Sequence, residues 1–150
     1  DRDILKIAAI ERHKNTRHLG IGYLQGYGPR EGAVATSISH DSHNIIVVGA
    51  DEASMAAAAN CVVESRGGIV VWKDGRCAGQ VALPIAGIMS EDPLEQVNQD
   101  LEHAKSVAFS LGVSSGIDPF MTLSFLALPV IPTLRLTTRG VIDVNTQQYI

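Results

Sequence analysis

Six consecutive residues carry the densest chemistry in this sequence: Ser39-His40-Asp41-Ser42-His43-Asn44. Two imidazoles, a carboxylate, two hydroxyls and an amide can ligate a metal or relay protons. Backbone conformation decides which side chains cooperate. In an extended chain His40 and His43 point to opposite faces and cannot chelate one ion, whereas Asp41 and His43 share a face. In a turn or helix the two histidines converge. The structural alternative is a loop whose Asp41 and Asn44 cap neighbouring backbone. His40, Asp41 and His43 are the candidate site residues.

The remaining inventory is thinner. There is no H-x-H, no HExxH, no paired CxxC and no P-loop, and glycines 20, 22 and 26 do not make GxGxxG. Cys61 falls mid-helix and Cys77 in a strand, so both are expected in the core. Arg12-His13, at the end of the first strand, has the charge to meet an anion; the alternative is a solvated hairpin end. Gly32-Ala33 and Gly87 have the composition of a phosphate nest, with nothing else in support. Residues 84–89 (PIAGIM) are apolar and turn-rich, which suits a short helix at an interface or, the stronger reading, core.

The elements that must position these groups can be read from periodicity. Residues 4–12 and 19–27 are apolar runs around a polar loop and predict a β-hairpin. Its glycines at 20, 22 and 26 invite a bulge or close backbone packing. Residues 32–39 suit either helix or strand. Residues 44–49 (NIIVVG) predict a strand buried on both faces. Asp51 then caps a helix with Met55, Ala58, Ala59, Val62 and Val63 on one stripe, ended by Gly67-Gly68 with glycine in the left-handed position. Asp74-Gly75, between IVVWK and RCAGQVAL, predicts a two-residue type I′ hairpin. Asp92-Pro93-Leu94-Glu95 reads as cap, first helical position and capping box. It opens a helix with a stripe of Leu94, Val97, Leu101, Ala104, Ala108 and Leu111, stopped at Gly112. Asp118-Pro119 opens a helix that is apolar nearly all round and must end before Pro129. Residues 133–137 and 140–144 predict a final pair of strands. The fold class is α+β: one domain over residues 1–150, with a mixed, mostly antiparallel sheet of about six strands and two or three packed helices.

The bulk numbers agree with one folded domain. The chain has 150 residues, 45% hydrophobic and 19% charged, with a net charge of −4. A domain of this size buries roughly 70% of its unfolded surface and needs no disulfide or metal to stay folded. The acidic balance and the absence of a basic run argue against nucleic acid. No apolar stretch reaches the ~18 residues of a membrane span. Two cysteines are too few for a disulfide framework, which points to a reducing compartment, the cytoplasm. A start at Asp1 rather than Met suggests part of a longer protein.

Longer blocks carry a family resemblance. VATSISHDSHNIIVVGA at 34–50, GGIVVWKDG at 67–75, LPIAGIMS at 83–90, DPFMTLSFLALPVIP at 118–132 and ERH at 11–13 resemble the C-terminal domain of bacterial adenine deaminases, of the amidohydrolase superfamily. The blocks run in the family's order over nearly the whole chain. The resemblance implies hydrolytic removal of the 6-amino group of adenine, giving hypoxanthine and ammonia, in purine salvage. It implies a metal-activated hydroxide attacking C6, with manganese or iron held in a preceding (β/α)8 barrel. The present chain departs from a whole enzyme: it lacks the barrel's H-x-H, and such a barrel typically needs about 250 residues. No cofactor is therefore expected in this chain, and its histidines do not inherit the barrel's metal roles. The expected partners are the missing barrel domain, adenine in the whole enzyme, and a second copy of the chain should it form a homo-oligomer.

Two readings from different classes remain. In one, this is the accessory domain of a metal-dependent deaminase, inactive alone, whose His40-Asp41-His43 loop lines the active site of the whole enzyme. In the other, it is a non-catalytic ligand-binding or oligomerisation module. The loop separates them: if it reaches the substrate pocket of the intact enzyme the first holds, and if it is buried in its own domain the second does.

Overall fold

The computed structural model describes residues 3–150. The first hairpin forms as the periodicity predicts: β1 (Ile4–Ile10) pairs antiparallel with β2 (Leu19–Gln25), from Ile4 opposite Gln25 to Ile10 opposite Leu19. The ambiguous segment is a strand, β3 (Ala33–Thr36), and its neighbour β4 (Ile45–Gly49) is buried along its length. Helix α1 (Glu52–Glu64) comes next, then β5 (Gly68–Lys73) and β6 (Arg76–Ala82). Asp74 and Gly75, both at positive φ (52° and 71°), make the predicted turn. The six strands lie in the order β2-β1-β4-β3-β5-β6, every pair antiparallel.

Alternation along these strands builds a three-layer domain. Ala8, Ala33, Ala35, Ile45, Val47 and Val70 face α1 and its Met55, Ala58, Ala59 and Val62. Small residues dominate on both sides, so helix and sheet approach closely. The opposite sheet face carries Ile7, Val34, Ile46, Val48, Ile69 and Val71. Over it lie α2 (Leu94–Ser110) and α3 (Pro119–Leu126). A second sheet of β7 (Leu134–Thr137), β8 (Gly140–Asp143) and β9 (Gln148–Tyr149) completes that layer. The predicted last pair of strands thus gains a third member and stands apart from the main sheet. Among the described residues, no helix is long and apolar enough to cross a membrane.

Asp51 caps α1 through Ser54 N–H (2.8 Å), and Asp118 caps α3 through Phe120 and Met121 N–H (3.0 and 2.9 Å), as their types predict. Other terminal details depart from the sequence expectation. Arg66 (φ 61°) is the first positive-φ residue after α1, and the expected Gly67 and Gly68 follow it at φ 125° and 142°; Arg66 N–H donates to Val63 O, and Gly67 N–H donates to Val62 O. Val63 is exposed, one position off the buried stripe. Helix α2 starts one residue later than expected. Pro93 is its cap and, having no polar side-chain atom, offers no capping bond; Asp92, one residue outside, accepts from the Ser90 hydroxyl (3.1 Å), and Glu95 stands one position too early for a capping box. Leu94, expected on the buried stripe, is exposed. Residues 84–89 are neither helix nor core: Ile85 and Met89 bridge across a tight turn and, with Ile88, remain exposed.

The glycines of β2 admit the second sheet. A Cβ at Gly20 would collide with the Thr137 carbonyl and lie 2.8 Å from Gly140 N, both rigid backbone. A Cβ at Gly22 would meet only side chains, the nearest Val141 at 3.1 Å, then Leu136 and Ile7 at 3.5 and 3.7 Å. The close backbone packing expected of glycines 20, 22 and 26 thus holds at Gly20, gives way to side-chain contact at Gly22, and is absent at Gly26, where nothing lies within 4 Å. We expect Gly20→Ala to destabilise the domain by about 1–3 kcal/mol through overpacking, and Gly22→Ala by clearly less. Thermal melts of the two variants check the difference; equal losses would mean that the β2–β7/β8 contact yields freely.

Candidate functional site

The pairing of β1 with β4 places Ile10 opposite Ile45. Glu11-Arg12-His13, directly after Ile10, therefore lies beside the His40–Asn44 loop, directly before Ile45. Each member of the triplet then braces a loop. Glu11 accepts backbone N–H bonds from His13, Lys14 (2.7 Å) and Thr16 (3.1 Å) and a hydroxyl bond from Thr16, closing the 13–18 loop on itself. The Thr16 backbone bond leads in holding its carboxyl down at about 2, with Lys14 and His13 helping against a partial desolvation. Arg12 donates from Nε to His43 O (2.8 Å) and from Nη2 to Ala86 O (2.8 Å), and its N–H donates to Asn44 Oδ1 (3.2 Å). His13 Nε2 lies 2.7 Å from Ser42 O; the carbonyl can only accept, so that nitrogen carries the proton.

Arg12-His13 is thus neither an anion site nor a solvated hairpin end. Arg12 Nε and Nη2 and His13 Nε2 donate to carbonyls of two loops, so the pair serves as a brace. The suggested nest at Gly87 is filled as well: a Cβ there would lie 2.7 Å from the Arg12 guanidinium carbon, and Gly87 O accepts from Ser37. Gly32 O accepts from Ala50 N–H, and Ala33 opens β3.

Within the loop, His43 N–H donates to Ser39 O (2.6 Å) across a tight turn, with His43 left-handed (φ 48°). The turn brings the two imidazoles together, 5.9 Å between ring centroids at 66°. His40 N–H donates to Ser124 O (3.2 Å), and its ring lies 5.3 Å from that of Phe125 on α3. His40 and His43 are half-buried, while Asp41 and Ser42 are exposed. The loop therefore faces outward from its own domain. A cleft of about 320 Å³ separates Ser39, Asp41, Ser42 and Asn44 from Leu128-Pro129-Val130 and Thr137-Thr138-Arg139.

Two buried hydroxyls beside the loop, Ser39 Oγ and Ser124 Oγ, have no hydrogen-bond partner. Burial, then the nearby charges of His40 and Arg12, lowers the His43 pKa below the ordinary imidazole value. Ser39 N–H approaches His43 Nδ1 at 3.5 Å, which suits a bare nitrogen there. A neutral imidazole, a free carboxylate and a fixed turn can hydrogen-bond a polar heterocycle. They do not make a metal centre: among the described residues no three His, Cys, Asp or Glu side chains converge on a common point. The manganese or iron implied by the resemblance does not fit this chain's donors. Cys61 and Cys77 stand apart from the site; both are half-buried at the rim of the α1 layer rather than in the core, and burial raises both thiol pKa values.

Sequence reasoning named His40, Asp41 and His43 as candidates and missed the bracing by Glu11 and Arg12 and the ring contact with Phe125. The available signal was three polar residues directly after a strand. What was missing was the β1–β4 pairing.

Comparison with known proteins now adds a family. The model of the "Adenine deaminase C-terminal domain" matches residues 1–148. The chain is 49% identical over 148 residues to the adenine deaminase of Desulfatibacillum aliphaticivorans, and equally to that of Bacillus subtilis (strain 168). Each match covers 99% of this chain and 26% of the relative. The adenine deaminase of Bacillus licheniformis is 45% identical over 150 residues, again 26% of its length. The chain thus spans about a quarter of the curated relatives it matches.

The depressed His43 pKa has a stability consequence. Below about 6.5, the ordinary imidazole value, the unfolded chain binds a proton that the folded chain refuses. Stability is then lost as pH falls from 6.5 towards the folded pKa, and is unaffected above 6.5. We expect melting temperatures to fall between pH 7 and pH 5, and His43→Asn, which tolerates the left-handed backbone, to flatten that slope. Identical slopes would show that His43 is unperturbed.

Proposed function

The chain belongs to the family of adenine deaminase C-terminal domains, and on that premise we propose that it is the C-terminal part of a metal-dependent adenine deaminase. In that enzyme the His40–His43 loop borders the substrate pocket. The metal, and with it the activation of water, belongs to a barrel outside this chain. The observation that carries the reading is the loop's construction. Its backbone is clamped by Arg12, His13 and Ser124, while Asp41 and the imidazoles stay at the surface. Rigid backing with outward polar groups suits precise contact better than self-bracing. Adenine offers ring nitrogens and an amino group. The His43 imidazole and the Asp41 carboxyl group supply a polar pair suited to such edges, and His40, packed against Phe125, supplies a second imidazole. These are positioning roles; no bond-making step is assigned to this chain.

Two outcomes test the reading. The 150-residue chain by itself, given Mn(II), should not convert adenine to hypoxanthine. Turnover at the rate of a whole adenine deaminase would overturn that. In the full-length enzyme, His40→Ala or His43→Asn should slow turnover roughly tenfold to a hundredfold, the effect of losing a contact of about 1–3 kcal/mol in a desolvated site. Melting temperature should change little. A lowered melting temperature with normal turnover would make the cluster structural and leave a non-catalytic module.

A further inference from the structure

Helix α3 buries Phe120, Leu123 and Ser124 against the sheet and turns Met121 and Phe125 outward, 45% and 42% exposed. These two are one turn apart and share a face. The apolar surface does not stop at the helix. Phe125 touches His40. Val130, 71% exposed, lines the cleft beside Asp41 and Ser42. Arg12 hangs the 84–89 turn on the far side of the loop, where Ile88 and Met89 are 37% and 52% exposed. Exposed apolar side chains thus stand beside the polar loop on the α3 side and on the 84–89 turn, a band around the polar groups.

We propose that this band is the seat of the rest of the same polypeptide, the portion that precedes this domain in a whole adenine deaminase. The proposal rests on the reading above and names the surface through which the loop would meet its pocket. The first argument is length. The chain accounts for 26% of its relatives, so roughly three quarters of such a protein lies outside it. Domains of one chain commonly share interfaces of about 600–1,500 Å². The second argument is polar. Of three buried side-chain atoms left without partners among the described residues, Ser39 Oγ and Ser124 Oγ sit directly behind this band; the remaining one is Arg135 Nε. Such orphans are few in a folded domain and each asks for a reason; both of these residues are fully buried and lie under one face, the one that carries the loop. The third argument is contrast. The other large apolar surface, the half of the sheet that α1 leaves uncovered, carries Ile4, Leu19, Ile21 and Tyr23. It lies on the α1 side of the sheet, across from α3, and no orphaned hydroxyl backs it.

The test compares charged substitutions on the two surfaces in the full-length protein. Phe125→Glu should detach the domain. Amides of residues 119–126 should then exchange about tenfold faster, and brief proteolysis should release the domain intact. Tyr23→Glu should change neither. If Phe125→Glu also loosens the β4 amides, the domain has been damaged, and Met121→Glu is read instead. Detachment by Tyr23→Glu but not by Phe125→Glu or Met121→Glu overturns the proposal. So does conversion of a dimer to monomers with the domain still attached, which would make the band a self-interface. Turnover of His40→Ala and His43→Asn is scored separately. Normal kinetics there with detachment by Phe125→Glu sinks the functional reading and keeps the seat. Slow turnover without detachment does the reverse.

Discussion

Arg12 is the joint on which the site depends. Its guanidinium reaches the His43 carbonyl in one direction and the Ala86 carbonyl in another, while its own N–H holds Asn44. Three segments far apart in sequence are fixed by one side chain. The geometry matters: a planar fork with spread donors can satisfy two carbonyls at once, which an ammonium on a flexible stem does poorly. Those carbonyls lie in turns with positive-φ residues, His43, Ala86 and Gly87, that have few ladder partners of their own. An unbraced turn of that kind would sample many conformations.

The joint is possible only because the sheet is ordered as it is. β1 sits between β2 and β4, so its C-terminal end and the N-terminal end of β4 emerge side by side. The same order leaves β2 at the edge, where its glycines admit the second sheet. Tyr27, buried just after β2, donates to Pro119 O (2.8 Å) and locks that exit to the start of α3. Burial raises its pKa, so the hydroxyl stays a donor. Helix α3 is thereby held where Ser124 O can accept from His40 and Phe125 can stack on it. The core thus supports the loop from beneath as well as from the side.

Electrostatics around the loop arise from this crowding. Arg12, His13 and His40 approach His43 from both strand ends, and partial burial together with their positive charge keeps it neutral against the opposing pull of Asp41. Glu11, one residue away from Arg12, is held ionised by backbone N–H groups and stays committed to its own loop. The carboxylate left free to face outward is Asp41.

Much of this was legible in the residues. Alternation identified β1, β2 and β4, Asp-Gly identified the β5–β6 turn, and the two capping aspartates identified the starts of α1 and α3, because each signal is local and acts within a few residues. The Asp92 start was one residue off: the helix begins at Leu94 with Pro93 as its cap, and Asp92 accepts instead from the Ser90 hydroxyl two residues back. Composition and spacing also marked His40, Asp41 and His43 as the chemical cluster, and the longer blocks marked the family. The tertiary structure alone decided that Arg12 braces rather than binds, that residues 84–89 form an exposed turn, that Phe125 meets His40, and that one half of α3 stays bare. Each of these depends on which strands pair and which layers stack. Such pairings bring together residues separated by 31 to 92 positions in the chain, a separation no local pattern encodes.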